Sequence, residues 1–430
     1  RAQIDTLITT EQVQKRCPNL PKTSITLDIK DELKALAKEK FSLGITLGML
    51  KIMPASLAAS FLSIPKKGDR EEAALIFTSG SSGEPKGVIL SHRNLLGNVE
   101  QISDLNLIDR SQTLLGNLPL FHSFGFLVTL WYPLIKGIRL VTVPSPLEVR
   151  KAVDAINEDK ITALLGTPTF LKPYLKKAEP EKLESLQFVI AGAEKTPAGL
   201  AEQWHEKFGS QYLEGYGLTE TSPVSSVNLP DPPVTEGQVH KEHGSRTGAA
   251  GRLLPGMTIR FIDPDTGKEN PYGETGVITL KGPNIFEGYL GQPEKTEEVL
   301  KDGWFTTGDI GRMDEDGFIF IEGRLSRFSK IGGEMVPHGT VEEAIVKALE
   351  LDLGEGPVIA VAGKPDVAKG EALVLLHAID LDLKELRAKL SEAGLANLWI
   401  PKNTQKVESI PTLATGKLDL KAIQQLALEA

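Results

Sequence analysis

The stretch Phe77-Thr78-Ser79-Gly80-Ser81-Ser82-Gly83-Glu84-Pro85-Lys86-Gly87 lies between two short apolar runs, residues 73–77 and 88–90. Each run has the length and composition of a buried strand. The glycines, serines and threonine between them are poor packing material but suit an anion. Glycine lets main-chain N–H groups converge on phosphate oxygens, hydroxyls add donors, and Lys86 supplies the countercharge. Thr78, Ser79, Gly80, Ser81, Ser82, Gly83 and Lys86 are therefore the candidate cradle. An ordinary Gly/Ser hairpin turn has the same composition. A P-loop is excluded, because no Gly-Lys followed by Ser or Thr stands at the required spacing.

Bulk properties narrow the classes. A chain of 430 residues is long enough for two or three domains. Its net charge of −9, from 48 basic and 57 acidic residues, argues against a nucleic-acid binder working by bulk electrostatics. A single cysteine, Cys17, excludes intramolecular disulfides and cysteine metal clusters and suits a reducing compartment. The chain opens on Arg1, without a secretory signal, and is expected to be a piece of a longer protein.

Outward from the glycine-rich stretch, the pattern divides the chain. Residues 24–27 read as a strand and 30–40 as a charged helix. Residues 41–64 are apolar but broken by Lys51 and Pro54, short of the ~20 uninterrupted apolar residues of a membrane span. A helix lying on a membrane surface is one reading; a buried helix pair of the large domain is the expectation. From 71 to 323, strand-like and helix-like segments alternate as in α/β layers, for example 137–143, 149–157, 161–165, 169–177, 188–191 and 199–208. Short strands at 257–262, 276–280 and 317–321 suggest a small β-subdomain. Residues 325–430, with strands at 358–362 and 372–378 and two helices, read as a separate small domain.

Other motifs carry chemistry. Leu118-Pro119-Leu120-Phe121-His122-Ser123-Phe124-Gly125 places an imidazole among aromatics, a pattern that a plain core segment shares. No Asp or Glu occurs between Asp109 and Glu148, so nothing there pairs with an α-ammonium group. A buried unpaired charge is costly, which argues against an amino-acid substrate. Phe124, Phe126, Leu127, Val128, Leu130, Trp131 and Leu134 suit an alkyl chain. Gly192-Ala193-Glu194-Lys195 follows the strand 188–191, at the strand end where α/β sheets bind ligands. In Tyr216-Gly217-Leu218-Thr219-Glu220 a ring able to stack on a base, a phosphate-reaching hydroxyl and a carboxylate suited to Mg²⁺ occur together. Asp309, closing Thr306-Thr307-Gly308-Asp309, is a bidentate acceptor that fits a vicinal diol. Gly323-Arg324 follows, and Lys417 ends Pro411-Thr412-Leu413-Ala414-Thr415-Gly416-Lys417.

From residue 71 to the C-terminus these motifs resemble the acyl-adenylate-forming superfamily of acyl-CoA synthetases, luciferases and peptide-synthetase adenylation domains. Its phosphate loop reads Thr-Ser-Gly-Ser/Thr-x-Gly-x-Pro-Lys-Gly. The resemblance implies an α/β fold: a large N-terminal domain (1–323, its first subdomain curtailed), a hinge (324–330) and a mobile C-terminal lid (331–430). It implies Mg²⁺ and ATP as cofactors, His122 beside the acyl carboxylate, and Gly192, Ala193 and Glu194 beside adenine. Tyr216 and Gly217 join the nucleotide site, Thr219 contacts the α-phosphate, Glu220 holds magnesium, Asp309 and Arg324 take the ribose, and Lys417 bridges carboxylate and phosphate. The hinge departs from the family: Arg327 stands where Asp or Lys is common, and Gly339 replaces an acid. The runs Phe-His-Ser-Phe-Gly-Phe and Ser-Arg-Phe-Ser-Lys-Ile-Gly-Gly-Glu-Met-Val-Pro are most similar to the acyl-carrier-protein synthetase portion of bacterial bifunctional 2-acylglycerophosphoethanolamine acyltransferases. That implies a long-chain fatty acid substrate and carrier protein, or coenzyme A, as thiol acceptor. It also implies work at the inner face of the bacterial membrane, or in the cytoplasm as an isolated domain.

Overall fold

The computed structural model describes residues 5–16, 20, 23–64, 68, 71–78, 85–232, 242–351, 357–412 and 418–430. The chain divides into two units, Arg1–Gly68 and Asp69–Ala430.

In the first unit, strands Thr6–Thr9 and Ile25–Asp28 pair in parallel. Helix Ile29–Lys38 is capped by the Asp28 carboxylate, which accepts from Lys30 N. Helices Lys40–Ile52 and Ala55–Phe61 follow, separated at Pro54. They correct the expected buried pair, because neither buries a residue; Phe41 is 84% and Ile52 86% exposed. The described residues of this unit offer only a two-stranded sheet and short helices, too little to form a covering layer.

The second unit is built on a seven-stranded sheet. Five strands run parallel, in the spatial order Arg139–Thr142, Thr113–Gly116, Ala163–Gly166, Phe188–Ala191, Gln211–Gly217. In chain order this is 2-1-3-4-5, a doubly wound arrangement whose ligand crevice lies beyond the carboxyl ends of the strands. Val224–Val227 and Arg252–Leu253 add antiparallel strands at one edge. One face is covered by helices Val149–Asp159, Pro168–Lys177 and Leu200–Phe208, which bury Ile156, Tyr174 and Trp204. Trp204 is fully buried and donates its indole N–H to Ser210 Oγ at 2.9 Å, so the ring is buried without an unmet donor. The other face receives helix His92–Asp104 through Leu95, Val99 and Ile102.

The two runs flanking the glycine-rich stretch form the antiparallel strands Glu72–Thr78 and Lys86–Ser91. Ser91 then starts helix His92–Asp104 through a reciprocal cap with Asn94. Gly288–Tyr289 pairs with Lys86–Ser91 on its other side. A five-stranded sheet holds Thr258–Ile262, Gly276–Lys281, Trp304–Met313, Leu300–Lys301 and Ile319–Arg324, the β-rich region expected. The C-terminal sheet comprises Phe328–Ile331, Glu334–Pro337, Ile359–Asp366, Gly370–His377 and Asn403–Lys406. It carries three helices, His338–Ala348, Leu383–Glu392 and Leu420–Glu429, one more than the pattern suggested. No described helix is long and apolar enough to cross a membrane.

Candidate active site

Lys86 begins its strand one residue after Pro85, and its ammonium lies 4.8 Å from the centre of the Tyr289 ring. Tyr289 is brought there by the pairing of Gly288–Tyr289 with Val88 and Ile89. Its hydroxyl donates to Glu220 Oε1 at 2.8 Å, and Phe286 N donates to the Glu220 carbonyl at 2.9 Å. Lys86 and Glu220, 134 positions apart in sequence, are thus joined through one phenol. Burial, reinforced by the charge of Glu220, pushes the Tyr289 hydroxyl well above the usual phenol range, so it stays a donor.

Glu220 lies in the turn Thr219–Thr221 that follows strand Gln211–Gly217. That turn depends on Gly217: a Cβ there would stand 1.9 Å from the Pro223 carbonyl oxygen. Thr221 Oγ1 locks it by donating to Pro223 O at 2.6 Å. Thr219 Oγ1 lies 3.1 Å from Ser123 Oγ, at the start of the short helix Ser123–Phe126. The aromatic-histidine segment and the Tyr-Gly-x-Thr-Glu segment therefore touch. His122 itself is exposed, its ring centre 4.5 Å from that of Phe121.

A second cluster surrounds Asp309 on strand Trp304–Met313. Tyr216 donates its hydroxyl to Asp309 Oδ2 at 2.6 Å, and Arg324 Nε stands 2.6 Å from Oδ1. Register places Asp309 opposite Arg324 on the neighbouring strand. Burial raises the Asp309 carboxyl above the ordinary carboxylate range, while Arg324 and the Tyr216 hydroxyl pull it back down. Glu220 also raises it, to a smaller extent, by like charge.

Gly192 lies at the end of strand Phe188–Ala191; a Cβ there would be 3.8 Å from the Phe124 ring and 3.5 Å from Gly215 O. Ala193 adopts a φ of 67°, in the left-handed region that non-glycine residues seldom enter. Glu194 turns its carboxylate to Thr169, accepting from Oγ1 at 2.6 Å and from the backbone N at 3.3 Å. Leu127 and Val128, expected along an alkyl chain, are instead core residues, and Leu134 is exposed. The run after Phe126 winds as a π-turn, Leu127–Trp131, which rotates these side chains away from a plain helical spacing.

Thr78 ends its strand half-buried, whereas Ser79, Gly80, Ser81, Ser82, Gly83 and Lys417 lie outside the described residues. Among the described residues no group of three or more His, Cys, Asp or Glu side chains could hold a metal. A lone carboxylate is still a fitting donor for Mg²⁺, which takes few protein ligands and completes its shell with phosphate oxygens and water. Tyr289 is the site residue that the motifs did not reveal; its only local signal is a two-residue strand. A shallow cleft of about 460 Å³, lined by Leu105, Gln187, Gln211 and Pro230 among others, opens at the opposite ends of the strands, away from all these groups.

The family of AMP-binding enzymes matches residues 1–290. The chain belongs to that family. It is 31% identical over 368 residues to a long-chain-fatty-acid–CoA ligase of Bacillus subtilis (strain 168), covering 83% of this chain and 62% of that one. A long-chain-fatty-acid–CoA ligase of Yersinia pestis is 31% identical over 380 residues, covering 84% and 64%. The chain thus spans a little under two thirds of the length of these two relatives. Among solved structures, ATP-bound MatB from Rhodopseudomonas palustris superposes with a TM-score of 0.70 at 30% identity, covering 84% of this chain and 69% of that one. O-succinylbenzoate coenzyme A synthetase (MenE) from Bacillus subtilis, in complex with ATP and magnesium ion, gives 0.68 at 26% identity, covering 82% and 70%. The expected α/β fold of adenylate-forming enzymes is the fold of this chain.

Proposed function

We propose that this chain joins a long-chain fatty acid to AMP and passes the acyl group to a phosphopantetheine thiol. The observation that carries the reading is the pair of clusters at the two ends of one segment: Tyr289 packs its ring against Lys86 and donates its hydroxyl to Glu220, and Tyr216, four residues before Glu220, donates to Asp309. In the first half-reaction a carboxylate oxygen attacks the α-phosphorus of ATP, the new O–P bond forms and pyrophosphate leaves. Lys86 offsets charge on the phosphates, and Thr219 hydrogen-bonds the α-phosphate. Asp309 and Arg324 fix the ribose, so that catalysis is mostly positioning and electrostatics. Glu220 would hold Mg²⁺, which when bound neutralises phosphate charge. Lys417 takes its bridging role from the motif alone. In the second half-reaction the thiol sulfur attacks the acyl carbon and AMP departs.

The acid-free span from 110 to 147 and the apolar surroundings of Phe124 support an alkyl rather than an amino-acid substrate. The hinge run supports acyl carrier protein as acceptor, feeding lysophospholipid reacylation at the cytoplasmic face of the bacterial inner membrane. The exposed apolar residues of Lys40–Ile52 are consistent with peripheral membrane contact. A second reading takes coenzyme A as the acceptor, on the strength of relatives that are themselves CoA ligases. A pyrophosphate-release assay with palmitate, with holo carrier protein or coenzyme A supplied separately, decides. Turnover with coenzyme A alone removes the carrier-protein assignment, and no pyrophosphate with either acceptor removes the adenylation reading.

A further inference from the structure

Helix His92–Asp104 buries two stripes side by side. Leu95, Val99 and Ile102 enter the apolar core. Beside them Asn94, Asn98 and Gln101, four and three positions apart, are 2%, 0% and 4% exposed, so three amides share one buried face. Apolar side chains would fill a plain core there, because buried amides are costly unless hydrogen-bonded.

Each of these amides reaches main chain far away in sequence. Asn94 Nδ2 donates to Pro283 O at 3.0 Å and to Ile285 O at 2.7 Å. Asn98 Nδ2 donates to Val224 O at 2.8 Å, and its Oδ1 accepts from Val224 N at 3.1 Å. Gln101 Nε2 donates to Pro255 O at 2.8 Å. Asn284, gripped on both sides by Asn94, is itself 0% exposed. Its Nδ2 donates to Thr221 O at 2.7 Å and to Val224 O at 3.0 Å. Its Oδ1 has no hydrogen-bond partner among the described residues. An unmet buried acceptor is costly, so what Asn284 contributes is its donors.

Those donors end on the turn that carries Glu220. Thr221 is the next residue, Phe286 N holds the Glu220 carbonyl, and the Tyr289 hydroxyl holds its carboxylate. Residues 284–289 therefore grip this turn by main chain and by side chain. Asn94 ties the same segment to the helix into which strand Lys86–Ser91 leads.

We propose that Asn284 is a positioning residue for the Glu220 carboxylate, with Asn94 and Asn98 as its supports. This rests on the reading of Glu220 as the acid that holds magnesium. Asn284 acts through the Thr219–Thr221 turn, fixing where the carboxylate stands relative to Lys86.

Calorimetric titration of the whole chain with Mn·ATP, and separately with AMP in EDTA, tests this without turnover. Asn284→Ala should weaken Mn·ATP about tenfold and leave AMP within about twofold of the parent, since a partner that orients a metal ligand acts on metal affinity. Val99→Ala, which loosens the apolar stripe of the same helix, should leave both affinities parental. If Asn284→Ala does not fold, Asn98→Ser, which frees only one side of Val224, should weaken Mn·ATP about threefold with AMP unchanged. Equal losses for AMP and Mn·ATP in the variant that folds, or parental values for both, would overturn the positioning role. So would the same selective loss in Val99→Ala. A parental chain that binds neither nucleotide would overturn the ligase reading and this inference with it, whereas normal parental binding with any of the other outcomes strikes this inference alone.

Discussion

Arg324 and Arg327 lie three residues apart and each holds one carboxylate, but in opposite ways. Arg324 is 51% exposed while its partner Asp309 is 6% exposed. Arg327 and Glu342 are both largely buried, and the strand they hold, through Val361, belongs to the lid as they do. The first pair keeps an open side, which under the proposed reading leaves hydrogen-bonding capacity for a ligand. The second has its capacity met internally, because its task is to hold two elements together. One residue type thus makes an open pair and a closed pair three positions apart, and the exposure of the arginine separates the two.

The sharpest way to break this contrast is at Asp309. Asp309→Ala leaves Arg324 and the buried Tyr216 hydroxyl without their partner. Under the proposed reading it also removes two charge-assisted hydrogen bonds to ribose. At about 1.5 kcal/mol each, these amount to about a hundredfold in AMP affinity, readable by calorimetric titration. Affinity within a factor of two of the parent would separate Asp309 from the nucleotide site.

The closed pair should answer differently. Glu342→Ala strands Arg327 in the lid core, and removing one partner of a buried pair destabilises by about 3–5 kcal/mol. The lid transition in urea should move to lower denaturant with AMP affinity unchanged. A change confined to nucleotide binding would assign Glu342 to the site instead.

Protonation sharpens the same point, since His338 is buried with Nε2 2.8 Å from Ser329 Oγ. Burial and the nearby Arg327 charge hold its imidazole down at about 3, against an ordinary 6.5. The folded lid therefore keeps the ring neutral. Stability is full above pH 6.5 and declines as pH falls towards 3, because only the unfolded chain takes the proton. The slope from this one group is about 1.4 kcal/mol per pH unit. Urea midpoints from pH 7 to 4 should fall accordingly and flatten in His338→Gln; an unchanged slope in that variant would place the titration elsewhere.

At the open site, Tyr289→Phe keeps the ring beneath Lys86 but deletes the hydroxyl that orients Glu220. Loss of one hydrogen bond to a charged group, about 1.5 kcal/mol, corresponds to about tenfold. It should appear as a tenfold higher Mg²⁺ requirement for pyrophosphate release, with palmitate KM unaffected. A rise in palmitate KM alone would move Tyr289 to the acyl side.

Much of this layout was legible in the chain. The strands around the glycine-rich stretch and the alternation that gives the parallel sheet announce themselves through local composition, whereas Asp309 and Arg324 drew notice through the resemblance, since Thr-Gly-Asp alone reads as a turn. What stayed hidden is what long-range pairing supplies. Tyr289 reaches Glu220 only because Gly288–Tyr289 adds to a strand about two hundred residues earlier, and a two-residue strand has no period to detect. Arg327 looks like a departure from a hinge motif until Glu342 and Val361 fold against it. Residues 41–64 mislead in the other direction: apolar density reads as burial, but burial needs a partner layer that local sequence does not specify.

The smallest effect belongs to the contact that bridges the two regions. Lys195 follows the Gly192-Ala193-Glu194 turn beside the site and meets Glu343 of the lid helix, with both side chains about 60% exposed. Glu343 is one helix residue away from the buried Glu342, yet its pair with Lys195 has none of that burial. Exposed pairs contribute about 0–1 kcal/mol and are screened by salt. Lys195→Ala should therefore change pyrophosphate release by less than about fivefold, and 0.5 M salt should erase most of the difference. The charge-swapped pair Lys195→Glu with Glu343→Lys should restore parental behaviour. A large loss that salt does not touch and the swap does not rescue would mean that Lys195 acts on the bound nucleotide rather than through Glu343.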